Sequence, residues 1–315
     1  MPPSGRASTV SSRAVSDSST GALYAIAAYG VWGLMPLYWK AVEQVPPPEL
    51  LGHRILWSCA VGVLLVSAAR AWPELGRCLR APREGLPILL ASWLLATNWL
   101  VFLWAVATDR VLATSLGYYV TPLVNVALGV GFLGERLSRG QLVALALAAL
   151  GVVTLAVRLG EPPWIALALA GSFGCYGLVR KTARVGPVAG FGLEMLMLAP
   201  WAAAYLLVLA ADGGAALPGE TPLVQALVAG AGVVTAAPLL WFNHAARRLR
   251  LATLGFFQYL APSVAFALAV FAFGEPFTPA HAFSFGCVWL ALAIYSLDAL
   301  RRSGGRYPPS PEGSR

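Results

Sequence analysis

Apolar residues fall into ten long runs separated by short polar joints, at 22–39, 50–69, 86–107, 112–133, 141–157, 163–179, 187–210, 222–242, 251–273 and 279–297. None alternates apolar and polar positions as a half-buried strand does. A hydrocarbon core about 30 Å thick takes roughly 20 apolar residues of helix per crossing. Backbone N–H and C=O groups find no partner in lipid, so runs of this length predict helices, whereas a barrel shows alternating segments of roughly 10 residues. The pattern therefore predicts an all-α polytopic membrane protein of ten transmembrane helices.

Composition agrees, with 58% hydrophobic and 11% charged residues, against about 25% charged in soluble domains. The net charge of +8 matters through its placement. With the N-terminus inside, the inner segments carry 18 Lys and Arg: Arg6, Arg13, Arg70, Arg77, Arg80, Arg83, Arg136, Arg139, Arg180, Lys181, Arg184, Arg247, Arg248, Arg250, Arg301, Arg302, Arg306 and Arg315. The outer joints carry 3, Lys40, Arg110 and Arg158, and Arg54 is left inside a span. This positive-inside bias puts both termini in the cytoplasm and the chain in the cytoplasmic membrane, in contact with lipid. It also excludes a nucleic-acid partner, which needs its basic charge on one solvated surface.

Residues 1–20 are polar and Ser-rich and 301–315 are rich in Gly, Pro and Ser, so both are expected to be disordered cytoplasmic tails. The first apolar run is too long for a cleaved signal and is expected to be retained. Cys59, Cys78, Cys175 and Cys287 form neither a disulfide framework nor a metal-ligand spacing. His244 and His281 have no partner at such a spacing either, so no metal or cofactor is expected. No His-Glu-x-x-His, P-loop or nucleophile elbow occurs, which argues against an enzyme. Without a nucleotide site, active transport would draw on an ion gradient.

The chain also repeats itself. A shift of 140 residues lays Pro122 on Pro262, Gly134 on Gly274 and Glu135 on Glu275; a shift of 141 lays Gly30, Trp32 and Gly33 on Gly171, Phe173 and Gly174. The run Leu112, Ala113, Thr114 resembles Leu251, Ala252, Thr253 with a small slip. Two repeats, 21–160 and 161–300, then hold five helices each. An odd number makes the second enter the membrane from the opposite face, the arrangement of alternating-access transporters. Helix-packing needs for Gly and Pro are the competing source of such matches.

Polar groups inside the runs are the candidate site. Pro122 and Pro262 remove a donor and free the carbonyls of Tyr118 and Gln258. Kinked backbone in a bilayer faces protein or a wet cavity; the two readings are a central cavity or kinks satisfied by nearby Ser and Thr. Glu194 is the one carboxylate well inside a run, suited to proton coupling or to bonding a neighbouring helix. Arg54 and Asn98 lie in outer halves, Arg54 either lining the cavity or snorkelling to the interface. Trp32, Trp99, Tyr118, Tyr119, Phe256, Phe257 and Tyr259 offer stacking and cation–π surface or plain packing. The expected cavity is lined by Arg54, Asn98, Tyr118 and Tyr119 outside, Trp32 at the midplane, and Glu194, Gln258 and Tyr259 inside.

Several stretches carry a family resemblance: Tyr29 to Gly33, Leu37 to Lys40, His53-Arg54 with Trp57-Ser58, Asn98-Trp99, Ser115 to Asn125, Gly134-Glu135-Arg136, Tyr176 to Lys181, and Thr253 to Tyr259 with Pro262. In these the chain resembles the RarD branch of the EamA family, within the drug/metabolite transporter superfamily, over about residues 20–300. The resemblance implies ten helices in two inverted repeats, cytoplasmic termini and a central solute cavity. It is expected to be a permease exporting small organic metabolites or drug-like solutes, with protons as a candidate coupling ion. The competing class is a non-transporting membrane protein, a lipid-modifying enzyme or a sensor. One asymmetry stands out: Gly274-Glu275 is followed by Pro276 where the first half has Arg136.

Overall fold

A computed structural model describes residues 6–108, 111–159, 163–271 and 279–304. Among them the chain forms twelve α-helices and a 3-10 turn at Leu217–Gly219, and no strand. In order these are α1 Arg6–Lys40, α2 Pro47–Ala68, α3 Trp72–Arg80, α4 Pro82–Ala107, α5 Val111–Leu133 and α6 Arg139–Leu159. The second part holds α7 Pro163–Thr182, α8 Pro187–Ala211, α9 Pro222–Arg248, α10 Leu251–Gln258, α11 Leu260–Phe271 and α12 Pro279–Gly304. Six of them start on a proline, whose fixed φ and missing N–H suit the first helical position. By length and apolarity six helices can cross a membrane, within α1, α2, α4, α6, α8 and α9, and α5 and α12 carry shorter apolar stretches.

Local chemistry sets the ends. Gly134, at φ +63°, closes α5 in a left-handed conformation that glycine enters without strain, and the Glu135 N–H reaches back to the Gly129 carbonyl at 3.0 Å. A capping box opens α6: Gln141 N–H donates to Ser138 Oγ and Ser138 N–H to Gln141 Oε1, both at 3.0 Å. The Ser138 hydroxyl also donates to Asp298 Oδ2 at 2.6 Å, tying α6 to α12.

Three features depart from the sequence expectations. The run 251–273 is not one helix; it breaks at Tyr259, just upstream of Pro262, where the Tyr259 N–H turns to the Phe256 carbonyl at 3.2 Å. By contrast α5 passes unbroken through Pro122, with the Thr121 hydroxyl donating to the Gly117 carbonyl at 2.7 Å. The joint at 70–85 contains α3, which buries Leu75 and Cys78 against α4 and α8, exposes Trp72 and Leu79, and pairs Arg77 with Glu84 of α4. Its apolar face is two residues wide, too short for a periodicity to register. Helix also covers part of the expected tails, since α1 starts at Arg6 and α12 ends at Gly304. Arg110, Gly274, Glu275, Pro276, Arg306 and Arg315 lie outside the described residues, as does the side chain of His281.

The bundle packs α1 on α9 and α11, α2 on α8 and α9, α4 on α7 and α8, α5 on α7 and α10, and α6 on α12. Its outer surface is apolar, with Leu64, Leu100, Phe132, Trp201 and Leu207 all more than half exposed; a water-soluble monomer seldom presents so much contiguous apolar area.

Close approaches recur in matched pairs. A Cβ at Gly52 would lie 2.9 Å from Leu206, and one at Gly192 would lie 2.5 Å from Val66. Advancing the first contact by 140 on one side and retreating by 140 on the other gives the second. The same exchange relates Gly232 against Trp57, at 2.5 Å, to the Ser92 hydroxyl against Met197 Sδ, at 3.6 Å. With 141 on the glycine side and 140 on the valine side, it relates Gly33 against Val264, at 2.6 Å, to Gly174 against Val124, at 2.8 Å. Two repeat-related pairs touch each other: Tyr259 Oη donates to the Tyr119 carbonyl at 3.4 Å, and the Trp32 and Phe173 rings meet edge-on at 5.7 Å.

Three carboxylates from the first half hold backbone amides of the second. Glu49 accepts from Ala216 and Leu217 at 2.9 and 3.0 Å, Glu74 from Gly186 at 2.7 Å, and Glu135 from Leu251 and Ala252 at 2.6 and 3.0 Å. Gly186 and Leu251 sit at the starts of α8 and α10, where free N–H groups and the helix dipole favour an anion.

Candidate functional site

The expected site residues do not form one cluster; the fold distributes them over three. The first surrounds Arg54, seven residues into α2 and so about 10 Å from its start at 1.5 Å per residue. Its Nε donates to Thr235 Oγ1 of α9 at 2.8 Å. Its guanidinium carbon stands 4.4 Å from the ring centre of Trp99 in α4 and 5.3 Å from that of Trp39 at the end of α1. Tyr118 of α5 lies within electrostatic reach, packs on Phe102 and exposes 49% of its surface. Arg54 is therefore pinned among four helices. The hydrogen bond and the two aromatic faces are worth roughly 1–3 and 0.5–2 kcal/mol each, enough to offset the roughly 2.5–3.5 kcal/mol cost of a central arginine. None of them neutralises it. Among the described residues no carboxylate stands within ion-pair distance of Arg54, and none accepts from its two terminal nitrogens.

Asn98, beside Trp99, turns away from this cluster and donates to the Leu169 carbonyl at 2.9 Å and to Ser172 Oγ at 3.0 Å, joining α4 to α7.

The second cluster surrounds Glu194, fully buried in α8. Its Oε1 faces Arg180 Nε at 3.4 Å, and its Oε2 accepts from the Tyr176 hydroxyl at 3.3 Å. Arg180 Nε also donates to Asn243 Oδ1 at 3.2 Å, and Asn243 Nδ2 donates to Tyr176 Oη at 3.1 Å. The network thus links α7, α8 and α9. Arg180, counted by sequence among the charges of the inner segments, is 1% exposed. A Cβ at Gly190 would overlap its guanidinium, so the absence of a side chain there seats the arginine.

The third group lies where α5 meets α10 and α11. Gln258 Oε1 accepts from Asn125 Nδ2 at 2.8 Å, both residues buried. Tyr119 and Tyr259 are buried with Phe256, Phe285 and Tyr295 in the core shared with α6 and α12. Trp32 is packed by Tyr29, Phe173 and Phe242 between α1, α7 and α9.

Sequence reasoning missed Trp39, Thr235, Tyr176, Arg180 and Asn243 as site residues. Thr235 and Asn243 are visible afterwards as polar residues of the mostly apolar α9, eight positions and so about 80° apart around its axis. Tyr176 and Arg180 have the i, i+4 spacing of neighbours on a helix, and nothing before Ala183 stops α7.

Comparison with known proteins gives a consistent result. The model of the EamA-like transporter family matches residues 19–157. An uncharacterized transporter of Vibrio cholerae is 45% identical over 285 residues, covering 90% of this chain and 94% of its own. The protein RarD of Escherichia coli is 43% identical over 281 residues, 89% of this chain and 95% of its own. The chloramphenicol-sensitive protein RarD of Pseudomonas aeruginosa is 31% identical over 289 residues, 90% of this chain and 96% of its own. A crystal structure at 22% identity superposes with a TM-score of 0.69 over 90% of this chain and 99% of its own, a likeness of fold alone.

Proposed function

Because the chain belongs to the RarD branch of the EamA-like transporter family and is a multi-pass transporter of the bacterial inner membrane, we propose that it exports a small organic solute by alternating access between two inverted repeats, residues 21–160 and 161–300. Ten crossings result if α1, α2, α4, α5 and α6 form the first repeat and α7, α8, α9, α10 with α11, and α12 form the second, with both termini inside. α3 then lies along the cytoplasmic interface.

The observation that carries this reading is the exchange of contacts. Gly52–Leu206 maps onto Val66–Gly192, Gly33–Val264 onto Val124–Gly174, and Trp57–Gly232 onto Met197–Ser92. An isologous interface has that property: if residue i meets the counterpart of j, then j meets the counterpart of i. Pairs such as Tyr119 with Tyr259 touch each other only near the axis relating the two copies. Such an axis between inverted repeats is where secondary transporters place their solute site, and Arg54, Trp99 and Tyr118 open toward it from the outer side in this reading. Glu194 is assigned to helix packing, because its Oε2 accepts from Tyr176 and its Oε1 lies 3.4 Å from Arg180 Nε on the neighbouring helix. A Glu194→Gln variant that lost the pH dependence of transport would return it to proton coupling.

Proteoliposomes loaded with a labelled metabolite mixture provide the test. The expected result is release of some solute above protein-free vesicles, without chemical change to the lipid; lipid conversion with no release would favour the enzyme class. Reporter fusions test the orientation, and a periplasmic signal from the 70–85 joint would overturn it.

A further inference from the structure

Among the described residues Arg54 is a cation with no anion beside it. Its Nε is used by Thr235, and its flanks are covered by Trp39 and Trp99. Of a guanidinium's five N–H donors, four belong to the two terminal nitrogens, set in a planar fork that matches two oxygens of one carboxylate. Two buried acids are already committed. Glu194 belongs to Arg180, and Glu49, one turn before Arg54 on α2, holds the amides of Ala216 and Leu217 and approaches His53 at 3.9 Å. No described carboxylate lies within ion-pair distance of the fork.

We infer that the transported solute itself completes this site: a small organic monoanion whose carboxylate engages the terminal nitrogens of Arg54 and whose apolar or planar body lies against Trp39, Trp99 and Tyr118. The inference rests on the transporter reading and deepens it by fixing the charge of the cargo. One guanidinium matches one negative charge. A phosphate dianion would keep an uncompensated charge in a low-dielectric setting, and a zwitterion would bring an ammonium to a site with no described carboxylate to receive it. The indole faces exclude water from the guanidinium while leaving its edge open, which strengthens a charge-assisted bond when the anion arrives. Arginine is required, because a lysine ammonium lacks both the fork and the flat faces that stack on indole.

The test uses proteoliposomes loaded with a defined labelled mixture: aliphatic and aromatic monocarboxylates, the amide of each, a dicarboxylate, a zwitterionic amino acid, a neutral sugar and a primary amine. Release is followed by mass spectrometry. The expected outcome is release of one or more monocarboxylates and retention of the matching amides. Arg54→Gln should lower that release at least tenfold, and Arg54→Lys should leave a fraction of it with a raised KM. Thr235→Val keeps the charge but loosens its aim, so it should raise KM several-fold with little change in kcat; it also keeps the inference testable if Arg54→Gln does not fold. Release of the amides, amine, sugar or zwitterion in place of the monocarboxylates overturns the charge assignment and leaves the transporter reading standing. Monocarboxylate release unchanged in both Arg54→Gln and Thr235→Val overturns the role of the site. Release of no solute from any class overturns the transporter reading, and this inference with it.

Discussion

The bundle contains two arginines that it treats in opposite ways. Arg180 is matched: a carboxylate, a carboxamide and a backbone carbonyl face it, and Glu194 in turn holds Tyr176. Arg54 is only held, by one hydroxyl and two indole rings. A buried charge that is paired internally has its partner at all times and serves to fix helices. A charge positioned by neutral groups keeps its field available for something that comes and goes. Burial alone does not separate the two roles, whereas the charge of the neighbours does.

The comparison breaks first at Arg180. An Arg180→Gln variant leaves Glu194 as a buried carboxylate without its cation and should lose about 3–5 kcal/mol of stability, read by denaturant titration in micelles. Removing both charges, as Arg180→Met with Glu194→Leu, should recover most of that loss; a double variant as unstable as the single one would show that the pair is not coupled. A methyl group at Gly190, where the guanidinium lies, should cost about 1–3 kcal/mol by overpacking in the same titration. At the other arginine, Arg54→Gln should change stability by less than about 1 kcal/mol, because the lost hydrogen bond and ring contacts are offset by a smaller desolvation cost. A loss at Arg54 as large as at Arg180 would make both structural and remove the distinction.

Sequence alone carried the class of fold, because lipid leaves a chain so few solutions and a long apolar run has little else to be. It carried the choice of Arg54 and Glu194 for the same reason: ionisable groups are expensive there, so each one is conspicuous. Two things were not legible. Arg180 was counted only as a loop charge because a charge near a helix end is ordinarily solvated, and only packing shows that α8 and α9 cover it. The amides of Asn98 and Gln258 bond Ser172 and Asn125 on neighbouring helices; which helix lies opposite a polar residue is a tertiary fact that spacing does not encode. Proline was read equally at Pro122 and Pro262, but the helix breaks only at the second. Propensity is local, and the surrounding packing decides whether a lost hydrogen bond becomes a gap.

The joint at Glu135 has a property of its own. What it grips on α10 are two main-chain amides, which every residue except proline supplies identically. Substitution in that first turn therefore leaves the attachment intact so long as neither Leu251 nor Ala252 becomes proline. The attachment itself therefore depends on one acidic side chain just past the end of α5, whichever side chains the packing of α10 selects.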